Sequence, residues 1–237
     1  MTLLLLVRHG RSTANTAGIL AGRTPGVTLD DHGESQAMGV GERLRGVALD
    51  AAVHSPLYRC RQTLELALAS AGLATPVTED ARFTECDYGE WTGRGLSELN
   101  SEALWAQVQA TPSQVVFPDG ESMAGMAERM VTGVADWNRR LAEACPGKEP
   151  VWLLASHGDP IKAVLSDALG QRLDDFQRIV VDPASVSIIR YPTPDQAAQG
   201  QRPMVLAMNT TAGQLNQRLP SSPAGPELGG GLGSQQG

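Results

Sequence analysis

The chain has 237 residues, 41% of them hydrophobic, and a formal net charge of −7, which suits one sizeable soluble domain or two small ones. That charge excludes general nucleic-acid binding, which needs a basic surface, but not a small anionic substrate held by a few local arginines. Cys60, Cys86 and Cys145 are an odd set without metal-ligand spacing, as expected of a reduced cytoplasmic protein.

The apolar opening Leu3-Leu4-Leu5-Leu6-Val7 has no basic residue before it and meets Arg8-His9 where a signal peptide would need a cleavage site. It reads as a buried first strand. No other apolar run approaches bilayer length, so no membrane partner is expected. A helix is predicted over 33–47, a short strand over 51–53 and a helix over 57–71. In the last, Leu57, Cys60, Leu64, Leu68 and Ala71 recur at spacings of three and four. Residues 77–79 form a brief edge strand. A looser stretch over 82–120 holds Trp91, a helix at 97–109, and Pro112 and Pro118. The longest helix is expected over 122–144, where Met123, Met126, Met130, Val134, Trp137 and Leu141 make one core stripe before Pro146-Gly147 stops it. A strand at 151–155 and a helix at 160–169 follow. Strands at 185–191 and 203–208 suit a hairpin around a polar loop at 193–201. The alternation predicts an α/β three-layer sandwich, a mainly parallel, mixed sheet with helices on both faces. The domain is expected to span 1–215, and 220–237, rich in Pro, Gly and Ser, to form a disordered tail.

Open parallel sheets bind ligands beyond the carboxyl ends of their strands. Three predicted strands end in groups suited to an anion: Arg8-His9-Gly10, His54-Ser55-Pro56 with Arg59 opening the next helix, and Ser156-His157-Gly158. Arginine offers phosphate a rigid, permanently charged fork, and histidine can act near neutral pH as nucleophile, base or donor. Arg59 and Arg61 lie two apart on a helix and point to nearly opposite faces, so only one can serve. Neither a metal nor a cofactor is expected. His9, His32, His54 and His157 lack an i, i+4 pair and stand beside no carboxylate cluster.

The blocks from Leu5 through Arg8-His9-Gly10-Arg11-Ser12-Thr13-Ala14 to Asn15, Gly22-Arg23, Leu29 to Ala37, Ser55 to Thr63, Glu85 to Gly93, Gly120-Glu121-Ser122 and Ser156-His157-Gly158 resemble the histidine phosphatase superfamily, in its phosphoglycerate-mutase-like branch. The resemblance runs from residue 3 to about 160 and continues to about 208. It implies that His9 attacks phosphorus and that water hydrolyses the phosphohistidine. Arg8, Arg59 and His157 are then expected to hold the phosphoryl oxygens, and Gly22 to donate its amide. Family position selects Arg59 over Arg61. Ser12 is expected to reach the site with its hydroxyl, and Asn15 either bonds the phosphate or supports the loop. Gly10 is expected to let the chain turn beside the anion, and Arg11 to add positive charge near the mouth. The family position of the proton donor is Glu85. Asp159 is its rival, although Asp159-Pro160 also fits a helix N-cap followed by proline at the first helical position. Trp91, Trp105 and Phe117 suit either the leaving-group pocket or the core.

Mutases of this branch carry a long insertion with adjacent basic residues after the acidic position. Here residues 94–118 are few and hold no lysine or arginine after Arg94. The expected function is hydrolysis of a small phosphate monoester. A phosphoglycerate-mutase-type phosphomutase and a non-catalytic phosphate-binding or scaffold protein are the alternatives. An apolar face looks alike in a core and in a dimer, so a homodimer stays open.

Overall fold

The structure, a computed structural model, describes residues 1–219. The tail expected at 220–237 lies outside the described residues. In chain order the elements are β1 Thr2–Arg8, α1 Thr13–Thr16, α2 Asp31–Leu44, β2 Ala51–His54, α3 Tyr58–Ala71, β3 Val77–Glu79, α4 Leu96–Leu99, α5 Ala103–Ala110, α6 Met123–Ala144, β4 Val151–Ser156, α7 Gly158–Ala168, β5 Val186–Tyr191, α8 Pro194–Ala198 and β6 Met204–Thr210.

An unbroken apolar strand must be covered on both faces, and β1 is. Leu3, Leu5 and Val7 share a core with Val40 and Leu44 of α2 and Cys60 and Leu64 of α3. Leu4 and Leu6 share a second core with Met126 and Met130 of α6 and Ile161 and Val164 of α7. The sheet order is β3-β2-β4-β1-β5-β6. The first four strands are parallel, and β5 and β6 complete the sheet antiparallel, so the expected mixed three-layer architecture is what forms. Because β2, β4 and β1 are neighbours, their carboxyl ends deliver His54-Ser55, His157 and His9 to one edge of the sheet.

Several boundaries differ from expectation, each for a local reason. α2 begins at Asp31 because Asp30 caps it, accepting from the Gly33 amide at 2.8 Å. The helix expected at 97–109 is two, α4 and α5, with Glu102 in extended conformation between them. The polar loop at 193–201 contains α8, closed by a capping box between Thr193 and Gln196 with proline in its first turn. α7 begins at Gly158, so its N-cap is His157 and not Asp159.

Gly10 serves packing, not a left-handed turn. It is not among the glycines of positive φ, yet a Cβ there would stand 2.5 Å from the Gly33 carbonyl oxygen. A Cβ on Gly33 would come 2.0 Å from the Arg11 carbonyl oxygen. The two glycines let the segment after His9 lie directly on the first turn of α2, which fixes the height of the histidine. Among the described residues no helix is long and apolar enough to cross a membrane.

Candidate active site

His9 follows β1 and is 4% exposed. Its Nδ1 lies 2.7 Å from the Gly10 carbonyl oxygen, a pure acceptor, so Nδ1 carries the ring proton. Nε2 accepts from Arg59 Nε at 3.3 Å and therefore presents a lone pair. Burial first, then the Arg59 and Arg8 charges, hold its pKa well below the ordinary histidine value. The outcome is a neutral imidazole whose unprotonated nitrogen, Nε2, faces the Arg59 guanidinium.

Arg59 sits on the first turn of α3 and is 2% exposed. Its Nη2 donates to the Gly22 carbonyl at 2.8 Å and reaches His157 Nδ1 at 3.2 Å. Arg8 ends β1 and donates through Nη1 to the Val181 carbonyl at 2.6 Å. Among the described residues, Arg8 Nε and Arg59 Nη1 are buried and have no hydrogen-bond partner. Leaving a guanidinium donor dry and unpaired is costly, and two of them beside one imidazole make a site suited to an anion. The N-terminus of α7, with Gly158 against the Arg8 guanidinium, turns its amides and dipole to the same space.

His157 is fully buried. Its Nε2 is 2.7 Å from Ser55 Oγ, and with Arg59 donating to Nδ1 the ring proton lies on Nε2 in the free site. The Ser55 hydroxyl can reverse and donate, which releases Nδ1 to carry a proton toward an incoming anion. Burial and the neighbouring Arg59 lower the His157 pKa as well. Cys60 Sγ packs 3.4 Å from the same ring.

Glu85 is 8% exposed, with Oε2 4.0 Å from His157 Nδ1 and Oε1 accepting from the Cys86 amide at 2.9 Å. Desolvation, followed by the charge of Asp159, pushes its pKa up to about 7, so it holds a proton near neutrality. Its backbone is braced from outside: Arg129 Nη2 and Arg23 Nε both donate to the Glu85 carbonyl, at 3.0 and 2.9 Å, and both arginines pair with Glu121. Asp159, expected as a cap, occupies the first turn of α7 instead. It lines the cleft, accepting from Tyr88 Oη at 2.8 Å with Lys162 Nζ at 3.3 Å.

A carboxyl whose pKa is raised on folding holds its proton more tightly in the native state, so it costs stability as pH rises from the unfolded value through the folded one. Between about pH 5.5 and about pH 8.5 the native protein should therefore lose roughly 2 kcal/mol relative to Glu85→Gln, as read by urea unfolding at both values. A difference between the two proteins that does not change with pH would show that Glu85 titrates normally.

The other expected residues divide. Gly22, Asn15 and Ser12 line the same cleft of about 450 Å³. The Ser12 hydroxyl is engaged locally, because Ser12 and Asn15 form the capping box of α1. Asn15 thus supports the loop with its carbonyl oxygen while its amide half faces no protein partner among the described residues. Arg11 does not line the cleft; its Nε is held by Asp30 Oδ2 at 2.7 Å, so it adds no charge at the mouth. Arg61 is exposed and paired with Glu65, and His32 is exposed. His54 is buried against the Ser55 carbonyl at 2.7 Å. Trp91, Trp105 and Phe117 line the cleft, with Trp91 and Trp105 stacked at 6.1 Å. Sequence reasoning missed Arg129, Tyr88 and Lys162. Ser55 stood in a recognised block without a role, and only its contact with His157 supplies one.

Residues 4–200 match the histidine phosphatase superfamily (branch 1). The chain belongs to this family. Relatives of this histidine phosphatase superfamily member carry two kinds of name. A protein of Klebsiella pneumoniae subsp. pneumoniae named "Probable phosphoglycerate mutase GpmB" is 32% identical over 203 residues, covering 84% of this chain and 90% of that protein. The Bacillus subtilis "Uncharacterized phosphatase PhoE" is 31% identical over 170 residues, covering 72% and 79%. Among solved structures, a mycobacterial glucosyl-3-phosphoglycerate phosphatase complexed with VO3 shares the fold at a TM-score of 0.75 and 23% identity, covering 88% of this chain and 99% of that one. The α-ribazole phosphatase of Shigella flexneri does so at 0.73 and 22%, covering 89% and 98%.

Proposed function

We propose that the chain is a metal-independent phosphatase that hydrolyses a small phosphate monoester through a phosphohistidine at His9. The observation that carries this reading is the neutral His9 Nε2 set beside two buried, unpartnered guanidinium nitrogens, Arg8 Nε and Arg59 Nη1. Nε2 attacks phosphorus in line. Arg8, Arg59, His157 and the amides of α7 take the equatorial oxygens and the charge that spreads over them. The Gly22 amide and the Asn15 side chain stand on the cleft wall as further donors. Glu85, its pKa raised by burial so that it retains a proton toward neutral pH, gives that proton to the departing alkoxide. In the second step its carboxylate takes a proton from water, which attacks the phosphohistidine and releases inorganic phosphate. His9 and Glu85 are then as they began. No step calls for a metal, because the two guanidiniums supply the positive charge.

Hydrolysis is favoured over phosphoryl return to a second substrate by the charge of the outer cleft. Residues 95–128 contain no lysine or arginine, and Lys162 in the cleft is paired with Asp159, so nothing there clamps a second phosphate. All the residues mapped onto the catalytic pattern are present, which argues against a purely binding role. With 3-phosphoglycerate as the ester, phosphate release should outrun formation of 2-phosphoglycerate, with no acceleration by 2,3-bisphosphoglycerate and no loss in chelator. Isomer interconversion faster than phosphate release would make the protein a mutase. A cytoplasmic setting is supported by the three free cysteines, two of them buried.

A further inference from the structure

We infer that the ester accepted here has a neutral, largely apolar leaving group of at least ring size, an inference that rests on the phosphatase reading. Beyond the phosphate cradle the cleft is apolar and open. Ile19, Leu96 and Val180, 36%, 40% and 60% exposed, are among the few large apolar side chains the fold leaves in water, and all three line this cleft. The Ile19–Gly95 bridge joins the two segments that carry the first two. Deeper in, Trp105 continues the wall, backed by Trp91. An apolar surface that meets at the mouth of one cleft is a surface for an apolar ligand.

Lys162, the cation of the outer cleft, is already paired. Lys162 Nζ lies 3.3 Å from Asp159 and 3.0 Å from Gln177 Oε1, over the Phe176 ring at 5.3 Å. Asp182 accepts from Asn209 Nδ2 at 2.8 Å and adds negative charge to the same lining. A carboxylate or second phosphate on the leaving group would be desolvated without a free cation to receive it. Gln177 is engaged as well, giving its amide to the Val108 carbonyl at 3.4 Å and its oxygen to Lys162. A polyhydroxylated leaving group would give up water against the apolar wall formed by Ile19, Leu96, Val180 and Trp105.

The test compares three alkyl esters whose alcohols are similarly poor leaving groups: benzyl phosphate, glycerol 3-phosphate and 3-phosphoglycerate. Benzyl phosphate should exceed glycerol 3-phosphate in kcat/KM by about 10- to 100-fold, with 3-phosphoglycerate lowest. The double variant Ile19→Ser, Leu96→Ser, altered on the exposed wall away from the phosphate cradle, should shrink that preference several-fold, with the loss falling on benzyl phosphate. Hydrolysis of all three without preference for the benzyl ester, or a preference untouched in the double variant, would overturn this inference and leave the phosphatase reading intact. Failure to hydrolyse these esters and p-nitrophenyl phosphate alike would overturn both.

Discussion

His9→Ala should lower kcat for p-nitrophenyl phosphate on the order of 10⁴-fold or more, while inorganic phosphate still binds within a few-fold of the parent affinity. The separation follows from the geometry. The cradle is built from Arg8, Arg59 and the start of α7, and each is held by its own partners: the Val181 carbonyl for Arg8, the Gly22 carbonyl for Arg59, and the helix backbone for α7. Removing the imidazole deletes the attacking atom without dismantling the anion site. Direct attack by water would need His9 only as one more group near the phosphate, and its loss would then cost little. A fall within about tenfold would therefore exclude covalent catalysis at this residue. Isothermal titration with phosphate supplies the second reading, because lost binding would reassign the effect to a collapsed site.

Glu85→Gln should slow an alkyl phosphate by about 10²- to 10⁴-fold and an aryl phosphate far less, since a nitrophenolate departs without help from a proton. The same variant tests the electrostatics. In the parent, kcat/KM requires a neutral His9 and a protonated Glu85. The His9 pKa lies below the ordinary histidine range, so the imidazole stays competent down the acid side. The Glu85 pKa, pushed up to about 7, places the alkaline limb of an alkyl ester's profile near neutrality. The ester's own second ionisation, near 6 for phosphates, also shapes the acid limb, so the alkaline limb is the diagnostic one. Its disappearance in Glu85→Gln is the expected result. Equal losses on both ester types, with the limb retained, would transfer the proton to Asp159, which lines the same cleft and is held by Tyr88 and Lys162.

The convergence of three strand ends was legible because the chain punctuates them alike. β1 and β4 run apolar almost to their carboxyl ends and then change to Arg-His-Gly and Ser-His-Gly. What the residues did not disclose are choices that depend on partners far along the chain. Asp159-Pro160 reads as a cap followed by proline, but α7 starts one residue earlier, with His157 as its N-cap, and Asp159 in its first turn is held by Tyr88 and Lys162. Arg11 looks like a free charge until Asp30 is folded against it. Arg129 stands 44 residues from the Glu85 carbonyl it braces, with no local pattern to mark it. The split between α4 and α5 is a matter of single residues in a helix-tolerant stretch, where pattern carries little weight.

The central claim is a covalent phosphohistidine, and rapid quench with a ³²P-labelled aryl phosphate measures it directly. The parent enzyme, stopped in alkali during turnover, should carry label that is stable to base, lost in acid and confined to the peptide containing His9; His9→Ala should carry none. Turnover by the parent with no trapped label on the timescale of one cycle, or label on any other residue, would contradict the account.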